Sequence, residues 1–580
     1  MSNWVRSKKW YRRTMDHSLL DIIPRPFRRR TCRVSLTIFA RALLNFLGLA
    51  LLLPVLVLIL DTESIRTNRY LAAAYEWGGF ADQRSFALAV CGTVVAVVVL
   101  KSLLGLALYK AERNYIYDLY AYMSHRLYVE YRNRGLTFIK GSNSAVLARN
   151  VNVVCLTFVT GILMPLATIA SEATLFLLLF SGLALYNAAA AGLILVIFLP
   201  AAWSYYALVR NRLDRYGEIE NRAHREKART VIETFRGYPD IEINNAFPQM
   251  LRSFDRAMDD VVRTRSKQAT IGLLPQMFTE VGLCAGMAVL VVASLGSEGG
   301  QMRLLFGVFA VAALRLMPSV RNVMSAWTSL KYNRYTIDIL READLEHADP
   351  TVDADTARMP LRREIAVRRL SFRFEDAAEE TLHDFSLTIR KGERIGIRGA
   401  SGAGKTTLFN LLLGFYAPTS GQIAVDGEPL TAANRRRWQN TVGYVSQNVF
   451  IADSTFLANV ALGCPEAEID RERAARALEA ARLKEFVDGL PRGMDTPIGE
   501  CGCRLSGGQR QRIGIARALY KQADVLFFDE ATSSLDSRTE EEVNRSIAEL
   551  SDENKELTII VIAHRDSSLD YCDRVITIGT

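Results

Sequence analysis

Long apolar segments alternate with long charged segments over the first 330 residues, and this pattern predicts a membrane domain. The hydrocarbon core of a bilayer is crossed by a helix of about twenty mostly apolar residues. Six segments meet this requirement, at residues 34–60, 86–108, 153–185, 188–208, 271–295 and 304–327. The two long connections, at 110–150 and 210–268, read as charged helix. We therefore expect the spanning helices to extend well beyond the membrane.

The pattern changes after residue 327. Residues 336–363 are polar and predict a linker, and from residue 365 short β-rich runs alternate with helical ones. This alternation is typical of an α/β domain with a largely parallel sheet. The predicted fold is a polytopic α-helical membrane domain of six spans followed by an α/β domain. Its predicted divisions are a basic N-terminal segment at 1–33, the membrane domain with its long helix extensions at 34–335, the linker at 336–363 and the α/β domain at 364–580.

Composition and charge fit a membrane protein. The 580 residues are 49% hydrophobic, and the mean hydropathy of +0.08 is too high for a wholly soluble chain. The formal net charge is +9, and the excess lies in the N-terminal segment and the two long connections. Positive residues flank spans on the cytoplasmic side, so both termini and both connections are predicted to be cytoplasmic. This distribution requires no nucleic-acid partner.

The eight cysteines are scattered and show no metal-ligand spacing. We expect them to be free thiols. Cys501 and Cys503 flank Gly502 in a predicted loop, where a reactive role is the alternative.

Residues 399–406, of sequence GASGAGKT, fit the phosphate-binding loop GxxxxGK[ST] and lie between a predicted strand and a predicted helix. Glycines let backbone N–H groups surround phosphate oxygens at a helix N-terminus, where Lys405 adds a positive charge and the Thr406 hydroxyl can ligate Mg²⁺. The predicted phosphate-binding residues are Gly399, Ser401, Gly402, Gly404, Lys405, Thr406 and Thr407.

Residues 525–530, of sequence VLFFDE, form an apolar run that ends in two carboxylates. Nucleotide-binding sheets place catalytic groups at the carboxyl ends of their strands. Asp529 is predicted to hold Mg²⁺ through water and Glu530 to polarise the attacking water. The alternative is that the two carboxylates simply end a strand.

Residues 505–509, of sequence LSGGQ, resemble the signature of ABC (ATP-binding-cassette) ATPases and lie about twenty residues before the carboxylate pair. The other motifs of that family are also present, in their usual order along the chain. Gln447 resembles the Q-loop glutamine, Asp536 lies in a D-loop-like SLD, His564 resembles the switch histidine, and Phe374 stands where an aromatic ring stacks on adenine. The resemblance implies an ATP hydrolase with Glu530, His564 and Gln447 as catalytic residues. It also implies that Thr406, Gln447 and Asp529 bind Mg²⁺.

In ABC ATPases the signature of one subunit closes over ATP held by the other subunit. The resemblance therefore implies that a partner's nucleotide is contacted by Ser506, Gly507, Gly508, Gln509 and Asp536. A chain with one copy of each motif is expected to dimerise. Because no motif is visibly degenerate, we expect a homodimer, with a heterodimer as the alternative.

The order of membrane domain and then ATPase resembles ABC exporters and flippases. Residues 67–80, 161–172 and 315–319 resemble bacterial lipid-linked oligosaccharide flippases and their surface-polysaccharide relatives. This resemblance implies ATP-driven movement of a lipid-linked oligosaccharide or related glycolipid from the inner to the outer face of the bacterial inner membrane. The alternatives are an exporter of drugs, lipids or peptides, and a channel that ATP gates.

Two cations within predicted spans are candidate substrate residues, since charges in a membrane are rare unless they are used. Lys101 and Arg315 could bind the pyrophosphate of a lipid carrier. Alternatively, Lys101 snorkels and Arg315 pairs with Glu280 or Glu172. One position departs from the flippases, because Gln276 stands where they tend to carry a basic residue.

Overall fold

A computed structural model describes residues 23–50, 75–78, 83–186, 188–294, 300–343, 356–374, 377–530, 537–563 and 569–579. The chain divides into two compact units, at residues 1–350 and 351–580.

The described part of the first unit is helical. Its α-helices are α1 (Arg25–Ala50), α2 (Gln83–Asn133), α3 (Gly135–Gly141), α4 (Ser144–Arg149), α5 (Cys155–Phe158), α6 (Met164–Tyr186), α7 (Ala188–Arg236), α8 (Tyr238–Ile243), α9 (Phe247–Ser294), α10 (Gly300–Tyr332) and α11 (Tyr335–Glu342). Two π-helical turns, Asn150–Val154 and Val159–Leu163, flank α5 and join α4 to α6 as one continuous helix.

Three helices of the described chain are long and apolar enough to cross a membrane: Arg84–Asn133, Ser144–Leu185 and Phe247–Val289. A bent pair, Ile194–Val209 with Asn211–Arg236, would make a fourth. Residues 51–60 of the first predicted span lie outside the described residues, and the count of six spans stays a prediction. Helices α2, α7 and α9 run 48 residues or more, about 70 Å at 1.5 Å per residue, which is much longer than a bilayer requires.

The predicted linker is partly folded. Helix α11 packs into the first unit, where Leu340 is buried in one cluster with Leu119 and Phe158. At the other end, Arg358 donates hydrogen bonds to the carbonyl oxygens of Lys521 and Gln522 in the second unit. The segment that joins the units is therefore shorter than the predicted 336–363.

Helices α7 and α10 lie close together at Gly217. A Cβ atom at this position would lie 1.9 Å from the carbonyl oxygen of Tyr332, far inside van der Waals contact. Backbone atoms cannot turn aside as a flexible side chain can, so glycine is required at this crossing.

We expect Gly217→Ala to destabilise the membrane unit by about 3 kcal/mol, because the methyl group forces the two backbones apart. Gly272→Ala is the matched control, since a Cβ atom there meets nothing within 4 Å and alanine favours helix. Melting temperatures of the purified proteins in detergent test this expectation. Equal melting temperatures for the two variants would contradict it.

The described part of the second unit contains two sheets. Its strands are β1 (Glu364–Phe372), β2 (Leu382–Arg390), β3 (Arg394–Gly399), β4 (Ser420–Val425), β5 (Glu428–Pro429), β6 (Val442–Val445), β7 (Val525–Asp529), β8 (Thr558–Ile562) and β9 (Arg574–Ile578). The five-stranded sheet has the order β6-β7-β8-β3-β9 with parallel neighbours, as the sequence predicted. The second sheet, of order β2-β1-β4-β5, is antiparallel and was not foreseen.

Seven α-helices complete the described part of the second unit. They are α12 (Lys405–Leu412), α13 (Arg435–Thr441), α14 (Phe456–Val460), α15 (Arg471–Ala480), α16 (Lys484–Asp488), α17 (Gly507–Tyr520) and α18 (Ser537–Glu553). All five residues of β7 and all five of β8 are buried, as expected for strands covered on both faces. This arrangement places the ends of β3, β6 and β7 at one edge of the sheet.

Candidate functional site

The phosphate-binding loop connects β3 to α12. Gly402 and Gly404 have φ values of +86° and +91°, a left-handed conformation that glycine adopts without steric cost. Lys405 is 6% exposed, and its ammonium donates to the carbonyl oxygens of Gly399 at 2.8 Å and Ala400 at 2.9 Å. Because α12 begins at Lys405, the free N–H groups of its first turn lie directly behind the loop. This is the geometry of an anion site.

Asp529 ends β7 and is 5% exposed. The hydroxyl of Tyr444, on the neighbouring strand β6, hydrogen bonds to this carboxylate. Burial and the adjacent Asp529 charge raise the pKa of Tyr444 above its ordinary value, so the phenol remains a proton donor. Sequence reasoning missed Tyr444. The sequence feature that could have indicated Tyr444 is its position on the strand that leads to Gln447. Its contact with Asp529, however, depends on the parallel pairing of β6 with β7.

Gln447 and Glu530 are brought together by the fold. The side-chain amide of Gln447 donates to Oε2 of Glu530 at 2.6 Å. Glu530 itself has φ +52°, and its backbone N–H donates to the carbonyl oxygen of Ile562 at 2.9 Å. A left-handed glutamate is an uncommon and strained conformation that is frequent at functional sites. The strained backbone thus sets the direction of the Glu530 carboxylate, and the Gln447 amide holds it there by a hydrogen bond.

The residues predicted to bind Mg²⁺ offer a donor set that fits this ion. Asp529 supplies a buried carboxylate and Thr406 a hydroxyl. Because the Gln447 amide nitrogen is bonded to Glu530, its Oε1 atom is left as an acceptor. Oxygen ligands of this kind suit Mg²⁺. When bound with ATP, Mg²⁺ would neutralise charge that develops on the phosphates. These assignments remain proposals.

The signature residues begin α17. Ser506 and Gln509 form a reciprocal capping box: the Gln509 N–H donates to the Ser506 hydroxyl at 3.2 Å, and the Ser506 N–H donates to Oε1 of Gln509 at 2.8 Å. This pairing fixes the start of the helix. Ser506 is exposed, and Gly507 and Gly508 form the first turn without side chains that would obstruct an approaching phosphate.

Of the remaining predicted site residues, only some lie within the described residues. Phe374 is half-buried, with its ring 4.9 Å from Phe372 and 5.7 Å from Tyr416 between centroids. Its stacking on adenine stays a prediction. His564 and Asp536 lie outside the described residues, and their roles also stay predictions. All eight cysteines are free.

Of the two membrane cations, Lys101 packs against α1. A Cβ atom at Gly48 would lie 2.7 Å from Cδ and 3.0 Å from Nζ of Lys101, so the lysine runs along the first helix. The Arg315 side chain lies outside the described residues. Its two proposed partners have other contacts. Glu172 accepts from Ser319 and Asn322 at 2.7 and 2.8 Å, and Glu280 accepts from Gln276 at 2.8 Å.

A second cationic group on α1 and α2 was missed. Arg41 forms an ion pair with Glu112 at 3.3 Å, in which the two side chains are 19% and 6% exposed. The guanidinium groups of Arg41 and Arg113 lie 5.7 and 4.6 Å from the ring centroid of Tyr109. Both Nε atoms are buried and find no hydrogen-bond partner in the described part of the chain. Arg41 is an ionisable residue inside the apolar segment 34–60, and this feature of the sequence could have marked it as a candidate functional residue.

Comparison with known proteins gives consistent results. The ABC transporter family profile matches residues 382–533. An ATP-dependent lipid A-core flippase of Bordetella pertussis is 33% identical over 426 residues, which cover 72% of this chain and 67% of that protein. One from Burkholderia pseudomallei is 31% identical over 500 residues, or 82% and 81% of the two chains. The solved structure of a bacterial Atm1-family ABC exporter with ATP bound has a TM-score of 0.73 at 21% identity, covering 95% of this chain and 94% of that one.

The fold and the site define a multi-pass membrane protein that carries its own ATP-hydrolysing domain. A helical membrane domain with one P-loop domain confirms the predicted fold class. The chain belongs to the ABC transporter family, as a half-transporter of the exporter type that couples ATP hydrolysis to transport.

Proposed function

We propose that the chain moves an anionic glycolipid, of the class that includes lipid-linked oligosaccharides, from the inner to the outer face of the bacterial inner membrane. The observation that carries this proposal is the set of cations on the facing sides of α1 and α2. Lys101 lies beside Gly48, and Arg41 lies seven residues before Gly48 on the same helix. Gly48, beside Lys101, and Arg41 are therefore about 10 Å apart along the axis of α1.

These cations suit a phosphate or pyrophosphate group. Arg41 and Arg113 together carry two positive charges against the single charge of Glu112, and their Nε–H groups find no acceptor among the described residues. Guanidinium groups bind phosphate oxygens through paired hydrogen bonds. The similarity to relatives named lipid A-core flippases supports a glycolipid cargo. An exporter of drugs or peptides is the competing proposal.

In the proposed cycle, each half-transporter contributes one phosphate loop and one signature, and two copies of this chain form the working dimer. Gly399, Ser401 and Lys405 hold ATP, and Glu530 activates the water that attacks it. The Gln447 amide positions the Glu530 carboxylate, while Ser506 and Gly508 bind the nucleotide of the partner subunit. Both termini are proposed to be cytoplasmic, because the basic segments flank the spans on that side.

The test measures ATP hydrolysis by the full-length protein in lipid vesicles, with a polyprenyl-pyrophosphate oligosaccharide or lipid A-core added as the probe. We expect Arg113→Gln to raise the probe concentration for half-maximal stimulation by about tenfold or more, since a charged hydrogen bond to phosphate is lost. Arg113→Lys keeps the charge and should restore part of the response. Basal hydrolysis should not change.

Arg132→Gln is the matched control, since Arg132 is an exposed arginine at the end of the same helix α2. It should respond to both probes as the unaltered protein does. Stimulation by neutral drugs with no response to either glycolipid would overturn the proposed cargo and favour the drug exporter, while the assignment to ABC exporters would stand.

A further inference from the structure

A shallow cavity of about 260 Å³, largely open at its surface, lies between the helix of the third predicted span and α10. Its lining residues are Thr160, Met164, Pro165, Thr168, Asn322, Ser325 and Ala326. Four of these seven carry a hydroxyl or an amide, an unusual proportion for a site among apolar spans. Polar groups inside a membrane domain are functional candidates because they are costly there.

Two hydroxyl donors and one amide donor of the lining side chains are already engaged. The Thr160 hydroxyl donates to the carbonyl oxygen of Leu156 at 2.9 Å, and the Thr168 hydroxyl donates to that of Met164 at 3.0 Å. The Asn322 amide donates to Oε1 of Glu172 at 2.8 Å. What these side chains can still offer is mainly acceptor oxygen: the two hydroxyl oxygens and Oδ1 of Asn322, beside the second amide N–H of Asn322.

Glu172 orients the Asn322 side chain so that its oxygen remains available as an acceptor. Its Oε2 atom accepts from Ser319 at 2.7 Å, one turn before Asn322 on α10. The carboxylate thus joins the third predicted span to α10 and orients the Asn322 amide with its nitrogen toward Glu172. A neutral acceptor-rich cavity, with the carboxylate engaged behind it, selects ligands that donate hydrogen bonds.

We infer that this cavity is a subsite for the sugar of the transported glycolipid, binding its hydroxyl groups as hydrogen-bond donors through Thr160, Thr168 and Asn322. Sugars present many hydroxyl donors in a small volume. An ionised phosphate and an apolar acyl chain present no hydrogen-bond donor. Ser325 adds a hydroxyl that can donate or accept. The inference rests on the proposed glycolipid function and specifies which part of the head group this site recognises.

The cationic group lies beside the cavity. The Arg113 guanidinium contacts the sulfur of Met164, and Met164 forms part of the cavity wall. A head group that joins a sugar to a phosphate could therefore place the sugar in the cavity and the phosphate at Arg113. The two chemistries require separate probes.

The test compares binding of two probes to the full-length protein in nanodiscs: a polyprenyl-pyrophosphate oligosaccharide and the same polyprenyl pyrophosphate without sugar. The double variant Thr160→Val and Thr168→Val removes both hydroxyl oxygens with little change of shape. We expect its dissociation constant for the oligosaccharide probe to rise about tenfold, as loss of two hydrogen bonds implies. Its affinity for the sugar-free probe should be unchanged.

The control is the double variant Thr93→Val and Thr174→Val. These hydroxyls also donate to the carbonyl oxygen four residues earlier, but neither residue lines the cavity. The control should bind both probes normally. If the cavity variant binds the oligosaccharide probe as tightly as the unaltered protein, the sugar subsite is wrong while the proposed function stands. If the unaltered protein binds neither probe, both proposals are wrong.

Discussion

Replacing Glu530 with glutamine should reduce ATP hydrolysis by about 10²–10⁴-fold while ATP still binds. Glutamine has the shape of glutamate and can still accept the hydrogen bond that Gln447 donates at 2.6 Å. It has no carboxylate to take a proton from water. Phosphate release and ATP binding, measured on the same preparation, separate the two effects. A long-lived ATP-bound dimer should accumulate.

Glu556→Gln is the matched control, because Glu556 is an exposed carboxylate of the same unit in an ion pair with Lys391. Its hydrolysis rate should equal that of the unaltered protein. Rapid turnover by the Glu530 variant would show that another group activates the water. The carboxylate would then have only a structural role at the end of β7.

Replacing Lys405 with methionine should raise the dissociation constant for ATP by about 100-fold, since contacts between an ammonium and phosphate oxygens are among the stronger hydrogen bonds. The same ammonium bonds to the carbonyl oxygens of Gly399 and Ala400, so the loop also loses an internal tie. The melting temperature without ATP measures that structural loss separately. ATP titration by fluorescence measures the binding.

Lys391→Met provides the comparison, because Lys391 belongs to an exposed ion pair with Glu556. It should leave both ATP affinity and melting temperature nearly unchanged. Normal ATP affinity in the Lys405 variant would rule out the phosphate-binding role of this lysine.

The parts of the site that sequence reasoning found are those that short, local patterns determine. The phosphate loop needs its glycines and lysine in fixed order, and the buried strand before Asp529 is a continuous apolar run. The structure also brings Gln447 to Glu530, although 83 residues separate them along the chain. Glu530 was found from its strand and Gln447 from the family resemblance, and nothing in the local pattern of either segment implies their contact.

What the sequence did not reveal depends on which elements become neighbours. Tyr444 reaches Asp529 only because β6 pairs with β7, and Arg41 meets Glu112 only because α1 packs on α2. The antiparallel sheet also eluded prediction, since β3, the phosphate loop and α12 separate β4 from β1 and β2 along the chain. Charge in an apolar segment marked Arg41 as unusual, but its partners required the fold.

The two π-helical turns around α5 have a consequence for how this membrane domain tolerates changes in length. A π turn winds more residues into each turn than an α-helix does, so it takes up one extra residue that would otherwise rotate the rest of an α-helix by about 100°. Thr160 lies in the second turn and Thr168 follows it. Deleting one residue within 159–163 would leave the hydropathy of the span intact and let this turn become α-helical, so that Met164 and Thr168 stay on the side of α10. Homologous chains that differ by one residue here would thus present nearly the same face of this helix to their cargo.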